Sequence, residues 1–524
     1  MFMYSVLTLS IFCMLMIWSV FLLGVTLCVT VNFLSFGGYN WLLNLDFDMI
    51  TFGVLLMLLI CFFYVIFYTY HYFSGDIAGF ELNKIIMLFV GVMGILVCTG
   101  DFVSTLIFWE YLGVVSFFLI LFYDNFLSLR SSVVTLVSSR FGDVCLFLLI
   151  GLNCFVYNSL LPCLIYFFFI IFTKSASFPY ISWLLEAMRA PTPVSSLVHS
   201  STLVAAGVWF AMRYDYINFF NSSIFFTVLL LLTILITAIS SLYFVDLKKI
   251  IALSTCNNIS WCVLYLIYGD VVLSLFQLLS HGVSKCVLFM LIGDIMSGSG
   301  GSQASNCVYS TKLYGNWNLF GCFLVILGLA GVPFIGVFFT KHFLLSEFTG
   351  VVNLISYIII CFSVFLSYYY SFRLCAILFN FNCSSSIGVL FFFNSNLMVF
   401  IWLFTNFYLF FLLDETVFLG VSSSIMLISF QIISFFLILK LYDSNFISNW
   451  SSSLFGCDNL VEMCYQLFYH TLDLLSIFFF RWDNLVINLF CGIGLQNSNQ
   501  FYKWIMLNVI MLSVFTLIIY LIIF

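Results

Sequence analysis

Formal charge is scarce in this 524-residue chain: Lys, Arg, Asp and Glu together make up 7% of it, against 64% hydrophobic residues and a mean hydropathy of +1.21. Soluble domains carry about 25% charged residues, so the shortage excludes a water-soluble globule. No basic patch offers itself to nucleic acid, and the net charge of −6 says little when the charges fall in short loops or inside apolar runs. No Gly-x-Gly-x-x-Gly and no Gly-Lys-Ser/Thr phosphate loop occurs, which leaves nucleotide chemistry without its usual backbone cradle. No two of the 18 cysteines stand in a Cys-x-x-Cys spacing. Iron–sulfur and zinc sites need clustered thiolates, so these cysteines read as small apolar residues of membrane spans. Proline is scarce too, five in the chain, and four of them, Pro179, Pro191, Pro193 and Pro333, gather at two places.

What the chain does have is long, unbroken apolar runs. These argue for helices, because the strands of a membrane barrel alternate over about ten residues and each helical span needs about 20 apolar residues. The fold class expected is therefore an all-α polytopic membrane protein of about 15 spans. Spans are expected at 5–30, 49–72, 84–99, 101–123, 132–156, 159–185, 192–213, 224–244, 249–268, 271–296, 319–348, 353–379, 386–412, 415–441 and 504–524. The first has no cleavable small-residue site and reads as a span, not a signal peptide. The stretch NFLSFGGYNWLLNLDFDM after it is short and polar enough for a turn or hairpin. The glycines at 298–301 sit in a polar loop. The 69 phenylalanines, with abundant Cys and Tyr, fit an AT-rich, organelle-type genome.

Two of the spans carry the same oddity. Lys174 is the sole charge in 159–185 and stands five residues before Pro179; near residue 333, LAGVPFIGVFFTKHFLL couples Pro333 to Lys341. A lone ammonium at membrane depth costs roughly 2.5–3.5 kcal/mol, and a proline removes a helical hydrogen bond whose freed carbonyl must be satisfied by protein or water. Both spans are fourth in a run of five, 84–213 and 214–380. Interrupted helices at matching places of two halves are the internal-repeat mark of an ion site in transporters.

Other ionisable residues point the same way. Glu110 is the only charge in FVSTLIFWEYLGVVSFFLILFY, and Lys174 is the expected cationic partner, so that moving the carboxylate would change the lysine's hold on a proton. His199, with Ser195 and Thr202 at i−4 and i+3 on its helical face, suits either a proton relay or core packing. Gln277, His281 and Lys285 form one inward polar stripe in VVLSLFQLLSHGVSKCVLFMLIG, aimed towards Lys341 and His342. Asp143 follows Arg140 by three and is open to two readings, a helix-end ion pair or a station on a proton path.

After Asp443 the character changes. Asp458, Glu462, Gln466, His470 and Asp473 recur on one helical stripe, with Tyr465, Leu467, Phe468, Leu472 and Leu474 elsewhere on the surface. A helix of this kind lies along a surface and does not cross the bilayer. The chain thus divides into 1–83, spans and hairpin; 84–213 and 214–380, the two repeats; 381–442, two further spans; 443–500, the amphipathic segment; and 501–524, a terminal anchor.

FWEYLGVVSFFLI, FTKSASFPYISWLLEAMRAPTPVSSLVHSSTLVAAG, DLKKIIALSTCNNIS, SHGVSKCVLFM and GLAGVPFIGVFFTKHFL resemble, in order, the signatures of the subunit 5 family of NADH dehydrogenase, the distal antiporter-like subunits of respiratory complex I. The resemblance covers roughly residues 40–350, and the PTPVSSLVHSST block is specific to that subunit. It implies two inverted five-helix repeats, each with a broken helix, a lateral amphipathic helix and an anchoring helix. It also implies proton translocation driven at a distance by quinone reduction, in a multi-pass protein of the mitochondrial inner membrane or, alternatively, a bacterial plasma membrane. By resemblance the key glutamate falls on Glu110, the broken-helix lysines on Lys174 and Lys341, the relay histidine on His199, the central pair on His281 and Lys285, and the Gly-Asp aspartate on Asp143. No cofactor is implied in this chain; NADH, FMN, iron–sulfur clusters and ubiquinone belong to other subunits. The implied partners are the other membrane subunits, above all the neighbouring antiporter-like subunit along the lateral helix, and lipids including cardiolipin.

Three departures from the family stand out: one span fewer before the hairpin, Gln277 where many relatives have histidine, and Arg189-Ala190 before Pro191. A multisubunit cation/proton antiporter would share the fold but have no flavin or iron–sulfur arm. A mere scaffold has no reason to keep lysines at membrane depth.

Overall fold

The computed structural model describes residues 2–22, 24–36, 39–155, 160–214, 224–268, 270–308, 310–311, 315–332, 336–351, 354–379, 383–384, 396–412, 420–441, 457–490, 508–509 and 511–516. These form two compact units, Met1–Phe455 and Gly456–Phe524.

The first unit is helical apart from short strands. It opens with α1 (Phe2–Phe21), which ends earlier than the sequence suggests: Gly24 adopts φ +86°, and the β-branched run beyond it enters β1 (Leu27–Phe36). Only glycine takes that conformation without strain. β1 pairs antiparallel with β2 (Tyr39–Phe47), Leu27 opposite Phe47 and Phe36 opposite Tyr39, so the expected hairpin is present and claims the last residues of the first expected span. Asp48 then caps α2 (Met49–Tyr72): its carboxylate accepts from Thr51 N at 3.1 Å while Thr51 Oγ1 accepts from Asp48 N at 2.8 Å. Two otherwise orphaned donors are satisfied at once.

The array continues through α3 (Ala78–Cys98), α4 (Phe102–Leu121), α5 (Phe126–Phe155), α6 (Leu160–Lys174), α7 (Ser182–Ala187) and α8 (Thr192–Leu197). A π-helical turn (Val198–Thr202) joins α8 to α9 (Leu203–Arg213), and α10 (Ile224–Ser240), α11 (Leu247–Ile267) and α12 (Val271–Gly298) follow. Next come α13 (Gly315–Ala330), α14 (Phe338–Val351), α15 (Leu354–Phe379), α16 (Asn396–Leu412) and α17 (Val421–Leu441). Two short parallel strands, β3 (Ser310–Thr311) and β4 (Cys383–Ser384), pair beside them. Among the described residues nine helices are long and apolar enough to cross a membrane, and shorter apolar helices include the first halves of both interrupted spans.

Burial sorts the array into centre and rim. The apolar windows of the α8–α9 span and of α12 are wholly buried and that of α11 nearly so, whereas α3, α5 and α17 expose Ile95, Val137 and Phe436 outward. Apolar residues facing outward are what lipid demands; polar ones facing inward are what it forbids on the rim. The buried centre is therefore where every functional polar group must be sought.

In the second unit α18 (Cys457–Phe490) is a continuous helix of 34 residues, about 51 Å long at 1.5 Å per residue. Gln466, His470 and Asp473 are exposed on it, as are Tyr465, Leu467 and Phe468. The side chains of Asp458 and Glu462, and the expected terminal span 504–524 apart from residues 508–509 and 511–516, lie outside the described residues.

Candidate functional site

The first interrupted helix breaks at Lys174 itself. α6 ends there, Ala176 adopts φ +55°, Phe178–Pro179 follows and α7 restarts at Ser182. Three of the carbonyls this frees find donors. Ile171 O accepts from Ser175 N at 2.8 Å and Ser175 Oγ at 2.7 Å, Phe172 O from Ser177 N at 3.1 Å, and Thr173 O from the Trp183 indole at 3.0 Å. Lys174 takes no part. Its Nζ is fully buried, has no hydrogen-bond partner and stands 5.1 Å from the centre of the Trp109 ring. It borders a cavity of about 10 Å³ shared with Ser116, Thr135, Ser138, Ser139 and Thr173, room for one water.

Glu110 does not pair with Lys174. Its carboxylate lies 3.7 Å from Arg140 Nη1, and Arg140 also meets Asp143 at 3.3 Å. One guanidinium thus bridges a half-exposed glutamate on α4 and a buried aspartate on α5. Asp143 sits in the interior of α5 (Phe126–Phe155), not at a helix end, so the helix-end reading of its pair with Arg140 does not hold. Its Oδ1 is buried without a hydrogen bond, and of the charges acting on Lys174 it is the strongest, ahead of Arg140 and Glu110. Asp143 is thus one of the charges that Lys174 meets, and no carboxylate is bonded to its Nζ.

His199 falls in the π turn. The extra residue per turn takes the helix off α-helical spacing, and the hydroxyls expected beside the imidazole turn to backbone: Ser195 Oγ to Thr192 O at 2.9 Å, Thr202 Oγ1 to Leu197 O at 2.9 Å. Both ring nitrogens of His199 are left without a partner, and the ring faces Trp183 at 6.3 Å. Trp183, which hydropathy alone does not single out, thus touches both the Lys174 break and His199.

Along α12, Gln277, His281 and Lys285 are all buried, as their spacing indicates. They diverge in what they hold. Lys285 Nζ donates to Ser254 Oγ and, at 3.5 Å, to Ile251 O of α11; Gln277 accepts from Thr340 Oγ1 of α14, and both ring nitrogens of His281 are unpartnered. The link from Gln277 reaches the residue beside Lys341 in one bond. α11 adds Lys248, nearly buried, whose Nζ donates to Ala190 O at 3.3 Å, while its neighbour Lys249 turns outward to Asp246 at 3.3 Å. Two adjacent lysines in DLKKIIALSTCNNIS look alike in sequence; helical phase separates them by about 100°.

The second interrupted helix stops at Ala330 and restarts at Phe338; Gly331 and Gly336 take φ +87° and +58° in the break, and Pro333 lies outside the described residues. A Cβ on Gly336 would stand 2.8 Å from Gly328 O, so the crossing admits only glycine. Lys341 sits in the first turn of α14 and reaches back: Nζ donates to Ala330 O at 2.6 Å and Ser367 Oγ at 2.8 Å, and lies 4.6 Å from the centre of the Tyr368 ring. Gly331 O accepts from Tyr368 Oη at 3.2 Å and Gln431 Nε2 at 2.9 Å. A cation at a helix C-terminus is favoured by the helix dipole. His342 is buried with neither nitrogen bonded.

Membrane-length helices packed round two interrupted ones, each with a buried lysine, and joined by a buried polar helix, define a polytopic membrane protein of the transporter-like class. Residues 99–368 match the family described as NADH:quinone oxidoreductase/Mrp antiporter, TM, and the chain belongs to that family. Similar curated proteins include NADH-ubiquinone oxidoreductase chain 5 of Caenorhabditis elegans, 32% identical over 342 residues (63% of this chain, 64% of that one), and of Anopheles gambiae, 34% identical over 331 (59% and 56%). The chain 5 of Ascaris suum is 31% identical over 381 residues, 68% of this chain and 67% of that one. The chain therefore spans less than two thirds of the first two relatives' length. Among solved structures, the Mrp complex from Dietzia sp. superposes with a TM-score of 0.69 at 20% identity over 90% of this chain and 57% of that one. An archaeal membrane-bound sulfane sulfur reductase does so with 0.60 at 18% identity over 75% and 85%. At those identities the likeness is one of fold.

Proposed function

We propose that this chain is a proton-translocating, subunit 5 type membrane subunit of respiratory NADH:ubiquinone oxidoreductase in the mitochondrial inner membrane. Quinone reduction in other subunits, which carry NADH, FMN, iron–sulfur clusters and ubiquinone, drives it from a distance. The observation that carries this reading is Lys174: a buried ammonium with no hydrogen bond, at a helix break, in the field of Asp143, Arg140 and Glu110. A group so placed is free to take or release a proton as that field changes. A shift of Arg140 between Glu110 and Asp143 alters the charge that Lys174 meets. His199 follows across Trp183, Lys285 and His281 lie at the centre, and Lys341 with His342 ends the series. Residues 84–213 and 214–380 are the two repeats in this proposal, preceded by 1–83 and followed by 381–442, the lateral segment 443–500 and the anchor 501–524. The neighbouring antiporter-like subunit is the proposed partner along α18, with lipids such as cardiolipin around the spans.

The test is proton pumping per NADH oxidised in proteoliposomes of the intact complex. Lys174→Met lowers the ratio while NADH oxidation continues; an unchanged ratio in a fully assembled complex sinks the reading. The fold likeness to an Mrp complex keeps a second reading in view, a cation/proton antiporter subunit. Purification of the chain from its native membrane without flavin or iron–sulfur absorbance would favour that alternative.

A further inference from the structure

Where α2 turns into α3, at one end of two membrane-length helices, the chain leaves a recess of about 210 Å³. Depth in it follows sequence, because the two helices run antiparallel away from the turn. Outermost is Asp76; next come Tyr70, Phe73 and Phe80, with the Tyr70 and Phe80 rings edge to face, centres 6.2 Å apart; at the inner end stand Thr69 and Asn83. A Cβ on Gly79 would stand 2.8 Å from Phe73 Cβ, so the start of α3 is packed directly onto Phe73. Two groups here lack a counterpart. Asp76 has no ion pair among the described residues, whereas Glu81 of the next turn is paired with Lys84 at 2.8 Å. Asn83, 7% exposed, accepts from Thr69 Oγ1 at 2.6 Å through its Oδ1, and its Nδ2 donates to no described residue. Buried amide groups normally have a partner. A carboxylate beside aromatic rings calls for a cation. An amide donor one to two helical turns deeper, canted back towards the turn as helical side chains are, calls for an acceptor such as a phosphate oxygen. The ends of the helices agree, since the C-terminus of α2 is partially negative and the N-terminus of α3 partially positive.

We infer that the recess between α2 and α3 binds the headgroup of a phosphatidylcholine molecule of the bilayer. Its trimethylammonium sits at Asp76 against the Tyr70, Phe73 and Phe80 rings, its phosphate accepts from Asn83 Nδ2, and its acyl chains run along the exposed Met87 and Leu88 of α3. Cation outermost, phosphate further in and chains deepest is the order of these groups in the lipid itself. A quaternary ammonium has no N–H to satisfy, which suits a wall of rings with a single carboxylate; a primary ammonium brings three donors that each want an acceptor. A headgroup with phosphates and no cation, as in cardiolipin, leaves Asp76 unanswered. The inference requires a chain that spans a membrane and is independent of proton transfer.

The membrane assembly that holds the chain is placed in nanodiscs containing phosphatidylcholine with a photoreactive diazirine next to its headgroup, illuminated and digested with chymotrypsin. Label is read by mass spectrometry on residues 74–80, between the cleavages after Phe73 and Phe80. Unlabelled phosphatidylcholine competes the label away, and phosphatidylethanolamine and cardiolipin compete about fivefold less well or worse. Tyr70→Ala and Asp76→Asn, both at exposed positions, each lower the label about fivefold. Glu81→Gln, which removes a nearby charge already paired with Lys84, leaves it unchanged. Equal competition by phosphatidylethanolamine or cardiolipin overturns the inference. So does label that survives either Tyr70→Ala or Asp76→Asn, a loss in Glu81→Gln equal to that in Asp76→Asn, or no label on residues 74–80. None of these results bears on pumping through Lys174, so the inference and the proposed function fail separately.

Discussion

Two interrupted helices each bring one lysine into the protein's interior, and they treat it in opposite ways. Lys341 is bound at both ends of its reach, to the last carbonyl of α13 and to Ser367, with the Tyr368 ring against it. Lys174 has no hydrogen bond, and its break is held by Ser175, Ser177 and Trp183 instead. The difference comes from where the lysine stands in the interruption. At the start of the second half-helix its chain can fold back onto the freed carbonyl; as the last residue of the first half-helix, it points away from the carbonyls its own break releases. One lysine thus serves as a fastening of the fold, while the other is left to answer to nearby charges.

Substitutions can break or sharpen that contrast. The largest effect on stability is expected from Lys341→Ala, which strips charge-assisted bonds worth about 1.5–3 kcal/mol each and orphans Ala330 O; the thermal midpoint and yield of assembled complex should both fall. Trp183→Phe removes one bond to Thr173 O beside the first break, a loss of about 1 kcal/mol, visible as a smaller drop in the same midpoint. Tyr368→Phe should cost less still, under about 1 kcal/mol, since Gln431 continues to donate to Gly331 O. A Tyr368→Phe variant as unstable as Lys341→Ala would mean that the second break is held by the tyrosine and not by the lysine. At the first break Arg140→Gln, which leaves Asp143 and Glu110 without their shared cation, is expected to lower pumping per NADH oxidised.

Much of this was legible in the chain itself. Scarce charge fixed the solvent, the apolar runs placed the helices of the first unit before residue 442, and the Lys–Pro pairs located both interruptions. What escaped was geometry that sequence spacing does not encode. Arg140 was legible as a neighbour of Asp143, but its reach to Glu110 depends on α4 packing beside α5. The π turn at His199 undid an α-helical reading of its neighbours. Lys248 was hidden by Lys249, because only the three-dimensional phase of α11 tells the inward lysine from the outward one. The start of β1 was masked by hydrophobicity that strand and helix share.

The contrast between the two lysines is tested most directly by making Lys174→Met and Lys341→Met in the intact complex and measuring, for each, both assembled yield and protons pumped per NADH oxidised. If Lys174 is the free group and Lys341 the fastened one, the first variant assembles normally and pumps less, while the second assembles poorly. Loss of assembly in Lys174→Met equal to that in Lys341→Met would contradict it.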